Sequence, residues 1–303
     1  MNSFFEDMKL SALKSELPLR SKLHAISIES DINSALEYLD SEKLILAPVL
    51  DHSGKYSYII GVHDLVYYCI SDIESIDEIK LISDKESLPK LNHKIHQMIE
   101  MKPKEYFMLE HVDSNDSVKK ALELLSKGNH KVFVNDQDKN SWLLSQHDMI
   151  IYLNNHPEIV SESVKKLTMK SLGFSEREIT SQDSNASAFS VLKSLVSFEL
   201  TAMPLLDGES GRIVGNFSTS DLIGMDAVMI QELALTARQF LDEKDARGAG
   251  HPVTVEESAT VAEVLVLLAY SGAHRVWIAD SNKMPMGVVA MTDLLTTILS
   301  EVS

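Results

Sequence analysis

Short apolar runs alternate with longer amphipathic segments along the chain, and their order is clearest at the C-terminal end. A short run at 252–255 precedes a helix-like apolar segment at 261–270. Two further runs, at 275–279 and 286–290, lie on either side of a turn, and a second helix-like segment begins at Thr292. The pattern predicts the order strand, helix, strand, strand, helix.

The same order of elements occurs three more times, which indicates an internal repeat. The predicted repeats one to four span residues 18–71, 105–155, 175–226 and 248–303. A unit of about 50 residues can barely hold a core of its own, so we expect the repeats to pack in pairs. Charged segments between the repeats are interpreted as linkers or as helices that precede a repeat. These segments are 72–80, 89–104 and 241–250.

An aspartate at the start of the last helix supports this register. It recurs at Asp64, Asp148, Asp221 and Asp293, with gaps of 84, 73 and 72 residues. A single Asp at a helix start is most simply an N-cap, but four in one register favour a repeat. A carboxylate at this position also suits a ligand, because it accepts two hydrogen bonds from a ribose diol.

Small hydroxyl side chains just before the aspartate leave room for a ligand and donate to phosphate. The free N–H groups of the helix start favour anions as well. Repeat three has the full set, which is Ser218, Ser220 and Asp221. Repeat four keeps Thr292 and Asp293, with Ala290 in place of the first hydroxyl. We therefore expect the best-formed ligand site in repeats three and four.

Repeats one and two depart from this pattern. A histidine, His63 or His147, stands directly before the aspartate in place of Ser or Thr. Repeat one also has Gly61 where the first hydroxyl would stand, whereas repeat two keeps Ser145. An imidazole can donate to phosphate, but its bulk can also fill the pocket. We expect repeats one and two to have empty or altered pockets.

Two basic pairs stand at the entry to a second strand. His274-Arg275 precedes the run in repeat four, and His130-Lys131 occupies the same place in repeat two. Arg holds phosphate with a fixed fork of donors, whereas Lys acts as a point charge. Phosphate binding and a solvated basic pair at a strand edge both remain open for these positions. Repeats one and three have Leu46 and Ala202 there instead.

The motifs that end in Asp221-Leu222 and Asp293-Leu294 resemble those of the cystathionine-β-synthase (CBS) domain. The resemblance covers four copies and nearly the whole chain, and is strongest in repeats three and four. Four copies in about 300 residues are similar to the gamma subunit of AMP-activated protein kinase and related tandem Bateman-module proteins. The resemblance implies an α/β (α+β) fold of four repeats, paired into two Bateman modules that form a flat disc.

The same resemblance implies adenine-nucleotide pockets in the clefts between paired repeats, with AMP, ADP or ATP as the regulatory ligand and no other cofactor. It also implies that the His-Arg pair contacts nucleotide phosphates. Nucleotide occupancy would then be transmitted to a protein kinase complex or another protein partner. The candidate nucleotide-binding residues are Ser218, Ser220, Asp221, Thr292, Asp293, His274, Arg275, His130, Lys131, Ser145, Asp148 and Asp64.

Composition narrows the class of protein further. The 28 basic and 45 acidic residues give a net charge of −17, which argues against binding to nucleic acid or to anionic membranes. A single cysteine, Cys69, excludes an internal disulfide. Residues 1–10 mix charges among apolar positions, so we expect no secretory signal. The expected location is the cytoplasm, with the nucleus left open.

The sequence favours a non-catalytic protein. Cys69 lies in an apolar helical context and is predicted to be a buried structural thiol. His93 and His96 could share a helix face, but no third ligand at metal spacing accompanies them. No P-loop motif is present, and the segment 248–250 is interpreted as a hinge.

Three hypotheses of function remain at this point. The first is the sensing of adenine nucleotides, the second is a scaffold or a regulator of a kinase or phosphatase with degenerate, empty pockets, and the third is binding of an adenosyl ligand such as S-adenosylmethionine. The hydroxyl and His-Arg features favour ligands that carry phosphate over the third hypothesis. A homodimer also remains open.

Overall fold

The computed structural model describes residues 4–17, 23–136, 140–225, 229–245 and 251–300. Contacts divide the chain into two compact units. The first unit comprises Met1–Leu23, Leu109–Ile179 and Val253–Ser303, and the second comprises His24–Met108 and Thr180–Pro252. The first unit therefore combines predicted repeats two and four, and the second combines repeats one and three. Each unit has its own buried apolar cluster.

The first unit contains two three-stranded sheets and seven α-helices among its described residues. Its strands are β4 (His111–Asp113), β5 (Lys131–Asn135), β6 (Trp142–Ser145), β10 (Thr254–Val255), β11 (Arg275–Ala279) and β12 (Pro285–Ala290). Its helices are α1 (Phe4–Asp7), α2 (Leu10–Lys14), α7 (Val118–Leu125), α8 (Gln146–Asn155), α9 (Glu162–Lys165), α12 (Val261–Ser271) and α13 (Met291–Ser300).

The second unit repeats this plan. Its strands are β1 (Ile26–Ser27), β2 (Leu46–Leu50), β3 (Tyr56–Gly61), β7 (Gln182–Asp183), β8 (Ala202–Leu206) and β9 (Ile213–Ser218). Its helices are α3 (Ile32–Ser41), α4 (Val62–Ile70), α5 (Ile76–Lys80), α6 (Ile95–Ile99), α10 (Ala188–Ser197) and α11 (Ala237–Asp245). The segments predicted as linkers contribute α5, α6 and part of α11. The hinge predicted at 248–250 lies outside the described residues.

All four sheets have the same topology. The short first strand pairs in parallel with the second strand, and the second pairs antiparallel with the third. A parallel pair needs a crossover, and the first helix of each repeat supplies it. The sequence-based order of strand, helix, strand, strand, helix is therefore present in repeats one, two and four.

Local sequence explains where the crossover helices begin and end. In repeat four, the Thr260 side chain accepts the backbone N–H of Glu263, and the Glu263 carboxylate accepts the N–H of Thr260 in return. Gly272 ends α12 with φ of +70°, a conformation that favours glycine. Asp31, Ser117 and Ser187 cap the corresponding helices of the other repeats.

Repeat three differs from the prediction at its closing helix. The segment after β9 forms only a short 3₁₀ turn, Thr219–Leu222, instead of an α-helix. Gly224 follows with φ of +80°, and this left-handed conformation ends the helix after one turn. The expected helix is therefore replaced by the turn, by a second 3₁₀ segment at Met229–Ala234, and by α11.

Helices pack against one another and against the sheets in the core of each unit. In the first unit α8 packs against α12 and α13, and α13 packs against α7. In the second unit α4 packs against α10 and the turn Thr219–Leu222.

Cys69 on α4 is buried, and burial raises the pKa of its thiol to about 12, which confirms the predicted structural thiol. Across the described residues, every helix is too short or too polar to cross a membrane.

Candidate functional site

The four repeated aspartates occupy equivalent positions, and each caps the element that follows the third strand. In every repeat one carboxylate oxygen accepts the backbone N–H of the residue three positions earlier, at 2.6–2.8 Å. The donors are Gly61 to Asp64, Ser145 to Asp148, Ser218 to Asp221 and Ala290 to Asp293. Each aspartate is therefore the third residue of the element it opens, where it accepts the N–H of the preceding cap residue, and it is not the N-cap residue itself. Only the remaining hydrogen-bonding capacity of its carboxylate is available to a ligand.

A cluster of five basic side chains lies in the first unit, and we call it the basic cluster. Its members are His130, Lys131, His147, His274 and Arg275. Lys131 begins β5 and Arg275 begins β11, so the two predicted basic pairs stand at equivalent strand starts. His147 is the second residue of α8. Residues that are far apart in sequence, from repeats two and four, are thereby brought together.

The surroundings of His274 disfavour a positive charge on its ring. The pKa of His274 is lowered to about 4, first by desolvation and then by the positive charges of His130, His147, Arg275 and Lys131. His274 is nonetheless exposed as a residue, so solvent reaches the cluster. Burial also lowers the pKa of Arg275 to about 10, and the nearby Asp293 opposes this shift.

Two polar side chains in the first unit lie outside the predicted set of nucleotide-binding residues. The sequence left His147 open as a donor to phosphate or as a bulky group that fills the pocket, and its Nε2 is buried and makes no hydrogen bond within the described residues. Gln146 is 4% exposed and bonds across the two repeats. It donates to Thr292 Oγ1 at 2.7 Å and to the Leu125 carbonyl at 2.8 Å. Its Oε1 lies 3.3 Å from His130 Nδ1.

Asp293 lies beside the basic cluster and also faces a cavity of about 230 Å³ in the first unit. Arg177, which the sequence analysis missed, places its guanidinium 2.8 Å from Asp293 Oδ1. Phe174 forms part of the apolar wall of this cavity. No local pattern identifies Arg177, because its partner belongs to a different repeat.

The hydroxyl set of repeat three lies in the second unit. Ser218 Oγ is 2.6 Å from Ser220 Oγ and donates to Asp221 Oδ2 at 3.0 Å. Asp221 is 6% exposed, and this burial raises its pKa to about 6, although the Ser218 hydrogen bonds and the positive charge of Lys244 oppose the shift. The three side chains predicted to contact a ligand therefore bond to one another.

The raised pKa of Asp221 predicts a pH-dependent stability. Between about pH 4 and pH 6 the folded chain keeps a proton on Asp221 that the unfolded chain has released, so the free energy of unfolding falls as pH rises through this window. Asp221→Asn should abolish this change in the free energy of unfolding, which is on the order of 2 kcal/mol. Chemical unfolding of both proteins at pH 4.5 and pH 7 measures the change. A stability difference between the two proteins that is the same at both pH values would contradict the assignment.

Repeat one fills its own site. The His63 ring folds back over Gly61, where an added Cβ would lie 2.7 Å from His63 Nδ1. His63 Nε2 also lies 3.3 Å from Asp64 Oδ1. The imidazole therefore occupies the space where the first hydroxyl would stand, as the sequence suggested for this repeat. Among the described residues no cluster of His, Cys, Asp and Glu is arranged to hold a metal ion.

Comparison with known proteins gives a family match for the last repeat. The CBS-domain profile matches residues 249–300. Two Arabidopsis thaliana proteins, the SNF1-related protein kinase regulatory subunits gamma-like PV42a and PV42b, are 26% and 25% identical to this chain over 227 residues. The alignments cover 63% and 62% of this chain. The chain spans 63% of the length of each relative.

The fold has a close match among solved structures. A protein of Methanocaldococcus jannaschii, whose description proposes it as an archaeal homologue of g-AMPK, superposes with a TM-score of 0.68 at 15% identity. The superposition covers 95% of this chain and 99% of that chain. Residues 249–300 therefore match a CBS domain, and the chain is similar in fold to the archaeal protein and in sequence to gamma-like regulatory subunits of SNF1-related protein kinases.

Proposed function

We propose that this chain is a non-catalytic regulatory protein that binds an adenine nucleotide, with the nucleotide phosphates on the basic cluster of the first unit. The observation that carries the proposal is the convergence of His130, Lys131, His147, His274 and Arg275 from two repeats. A phosphate between these groups would attract the charged Lys131 and Arg275 and could accept hydrogen bonds from the imidazoles.

The position of the cluster supports a phosphate rather than a loosely held counterion. Strand starts fix Lys131 and Arg275, and Gln146 links the two repeats beneath them. An arginine fork and a lysine ammonium on rigid elements suit a polyphosphate, which has several oxygens to share. Because the chain carries a net charge of −17, capture of such an anion depends on these local groups.

Two neighbouring residues support a nucleoside attached to the phosphate. Asp293 acts electrostatically on Arg275, so it lies within reach of the same ligand. A carboxylate in this position can accept hydrogen bonds from a ribose, although Arg177 already pairs with one of its oxygens. Thr292 adds a hydroxyl, although Gln146 already donates to it. The adenine base itself is proposed from the CBS resemblance.

The proposed partner is a protein kinase complex. This part of the proposal rests on the names of the Arabidopsis relatives, which are kinase regulatory subunits. Ligand binding would favour one arrangement of the chain over another, and the partner would respond to that arrangement. Couplings of this kind amount to about 1–3 kcal/mol in regulatory proteins.

A scaffold with degenerate pockets is a second candidate function. Contacts in the second unit favour this candidate, because they fill or satisfy the predicted pockets there. His63 fills the site of repeat one, and Ser218 and Asp221 satisfy one another in repeat three. The second unit would then serve contact with a partner. The basic cluster of the first unit does not fit a purely scaffolding role.

Calorimetric titration of the full chain with ATP, ADP, AMP and S-adenosylmethionine tests the proposal. We expect saturable binding of at least one phosphate-bearing nucleotide, and weaker or no binding of S-adenosylmethionine. Affinity should fall with added salt, because the attraction is electrostatic. Absence of binding by all three nucleotides would overturn nucleotide sensing and favour the scaffold.

A further inference from the structure

Arg177 forms an ion pair with Asp293, the carboxylate that would accept hydrogen bonds from a ribose. Its guanidinium lies 2.8 Å from Asp293 Oδ1, while Asp293 Oδ2 accepts the N–H of Ala290 at 2.7 Å. Both oxygens therefore already have a partner. The side chain of Asp293 is 20% exposed and that of Arg177 is 40% exposed, so solvent and ligands can reach the pair.

The segment that carries Arg177 is held firmly in place. Gly173 turns the chain with φ of +73°, and the 3₁₀ turn Phe174–Glu176 follows. Phe174 is buried, and the Arg177 guanidinium stacks over its ring at 4.2 Å. The Phe174 carbonyl lies directly against Gly287 of β12. The ion pair with Asp293 therefore belongs to a packed contact and is more than a surface pair of two mobile side chains.

We propose that Arg177 sets the specificity of this site, because it withholds Asp293 from the ribose diol and leaves phosphate as the group that is recognised. The inference rests on the proposed nucleotide function and adds to it the ligand class. The wild-type chain would accept nucleotides and other polyphosphates with little regard to the sugar. A chain without Arg177 would select the ribose.

Competition for hydrogen bonds explains the expected change. A ribose that binds the wild-type chain must displace Arg177 or share Asp293 with it, so little free energy is gained from the diol. When Arg177 is removed, both hydroxyls can donate to a carboxylate that remains close to the cluster. Hydrogen bonds to a charged group contribute about 1.5–3 kcal/mol each. Even one such bond changes affinity by about tenfold or more.

The test compares ATP, 2′,3′-dideoxy-ATP and tripolyphosphate by calorimetry on three proteins. These are the wild type, Arg177→Leu, and the control Lys170→Leu, which removes an exposed ion pair with Glu257 in the same unit. The wild type and the control should bind ATP within about threefold of 2′,3′-dideoxy-ATP. Arg177→Leu should prefer ATP by about tenfold or more over both diol-free ligands.

Two outcomes separate this inference from the proposed function. If the wild type already prefers ATP over the dideoxy ligand by about tenfold, or if Arg177→Leu leaves the ratio unchanged, Arg177 does not set specificity, although nucleotide binding stands. If none of the three ligands binds any of the proteins, the proposed function fails first. Circular dichroism confirms that each variant is folded before titration.

Discussion

Replacing Arg275 with alanine is expected to lower the affinity for ATP by about 10- to 100-fold. Arg275 begins β11, and its guanidinium is largely desolvated and lies near Asp293. The substitution removes a bidentate, charge-assisted pair of hydrogen bonds from the guanidinium to phosphate. Such hydrogen bonds are roughly twice as strong as those between neutral groups. Arg275→Lys keeps the charge without the fork, so it should fall between alanine and the wild type.

A matched control separates loss of the site from loss of general positive charge. Lys120 belongs to the same unit but is paired with Asp116 at 2.7 Å on the surface of α7. Lys120→Ala should leave ATP affinity within about twofold of the wild type. Lys131→Ala, a second variant in the cluster, should weaken binding as Arg275→Ala does. Equal affinities for the cluster variants and the control would show that the phosphates bind elsewhere.

Gly287→Ala is expected to destabilise the first unit by about 1–3 kcal/mol. A Cβ at this position would overlap the Phe174 carbonyl oxygen and lie 2.8 Å from Ser175 Cα. Both atoms belong to the backbone, so the segment that carries Arg177 must move away from β12. Thermal unfolding measures the loss of stability, and the same variant should bind ATP with greater preference over 2′,3′-dideoxy-ATP.

Gly215 provides a matched control for Gly287. It stands six residues before Asp221, as Gly287 stands six residues before Asp293. The three atoms nearest to a Cβ at Gly215 would all belong to the side chain of Leu205, at 3.3–3.7 Å, and a side chain can adjust. Gly215→Ala should therefore be tolerated with a smaller loss of stability. If both variants unfold at the same temperature, the close contact at Gly287 does not affect stability as the account predicts.

Much of the fold could be predicted because each repeat encodes it locally. Apolar periodicity, polar caps such as Thr260 and the recurring aspartate specify the element order within about 50 residues. The closing helix of repeat three was wrongly predicted, although Gly224 carried the signal for a stop after one turn. The pairing of repeat one with three and of two with four could not be read from the sequence, since it depends on contacts between distant faces.

The sequence predicted individual residues of the candidate site, but it did not predict that residues from two repeats come together. The pairs His130-Lys131 and His274-Arg275 were found from their place before a strand. Their convergence with His147 depends on packing of α8 against α12 and α13, which no local pattern reports. Arg177 was missed for the same reason, because only the folded chain brings it to Asp293.

The most direct test of the central claim is nuclear magnetic resonance of the histidine rings during titration with ATP. The chain has 11 histidines, and single His→Gln variants assign the signals of His130, His147 and His274. The account predicts that these three signals shift together along one saturable curve, and that the pKa of His274 rises from its lowered value when phosphate binds. Saturable shifts confined to the other histidines, or none at all, would contradict a phosphate site at the basic cluster.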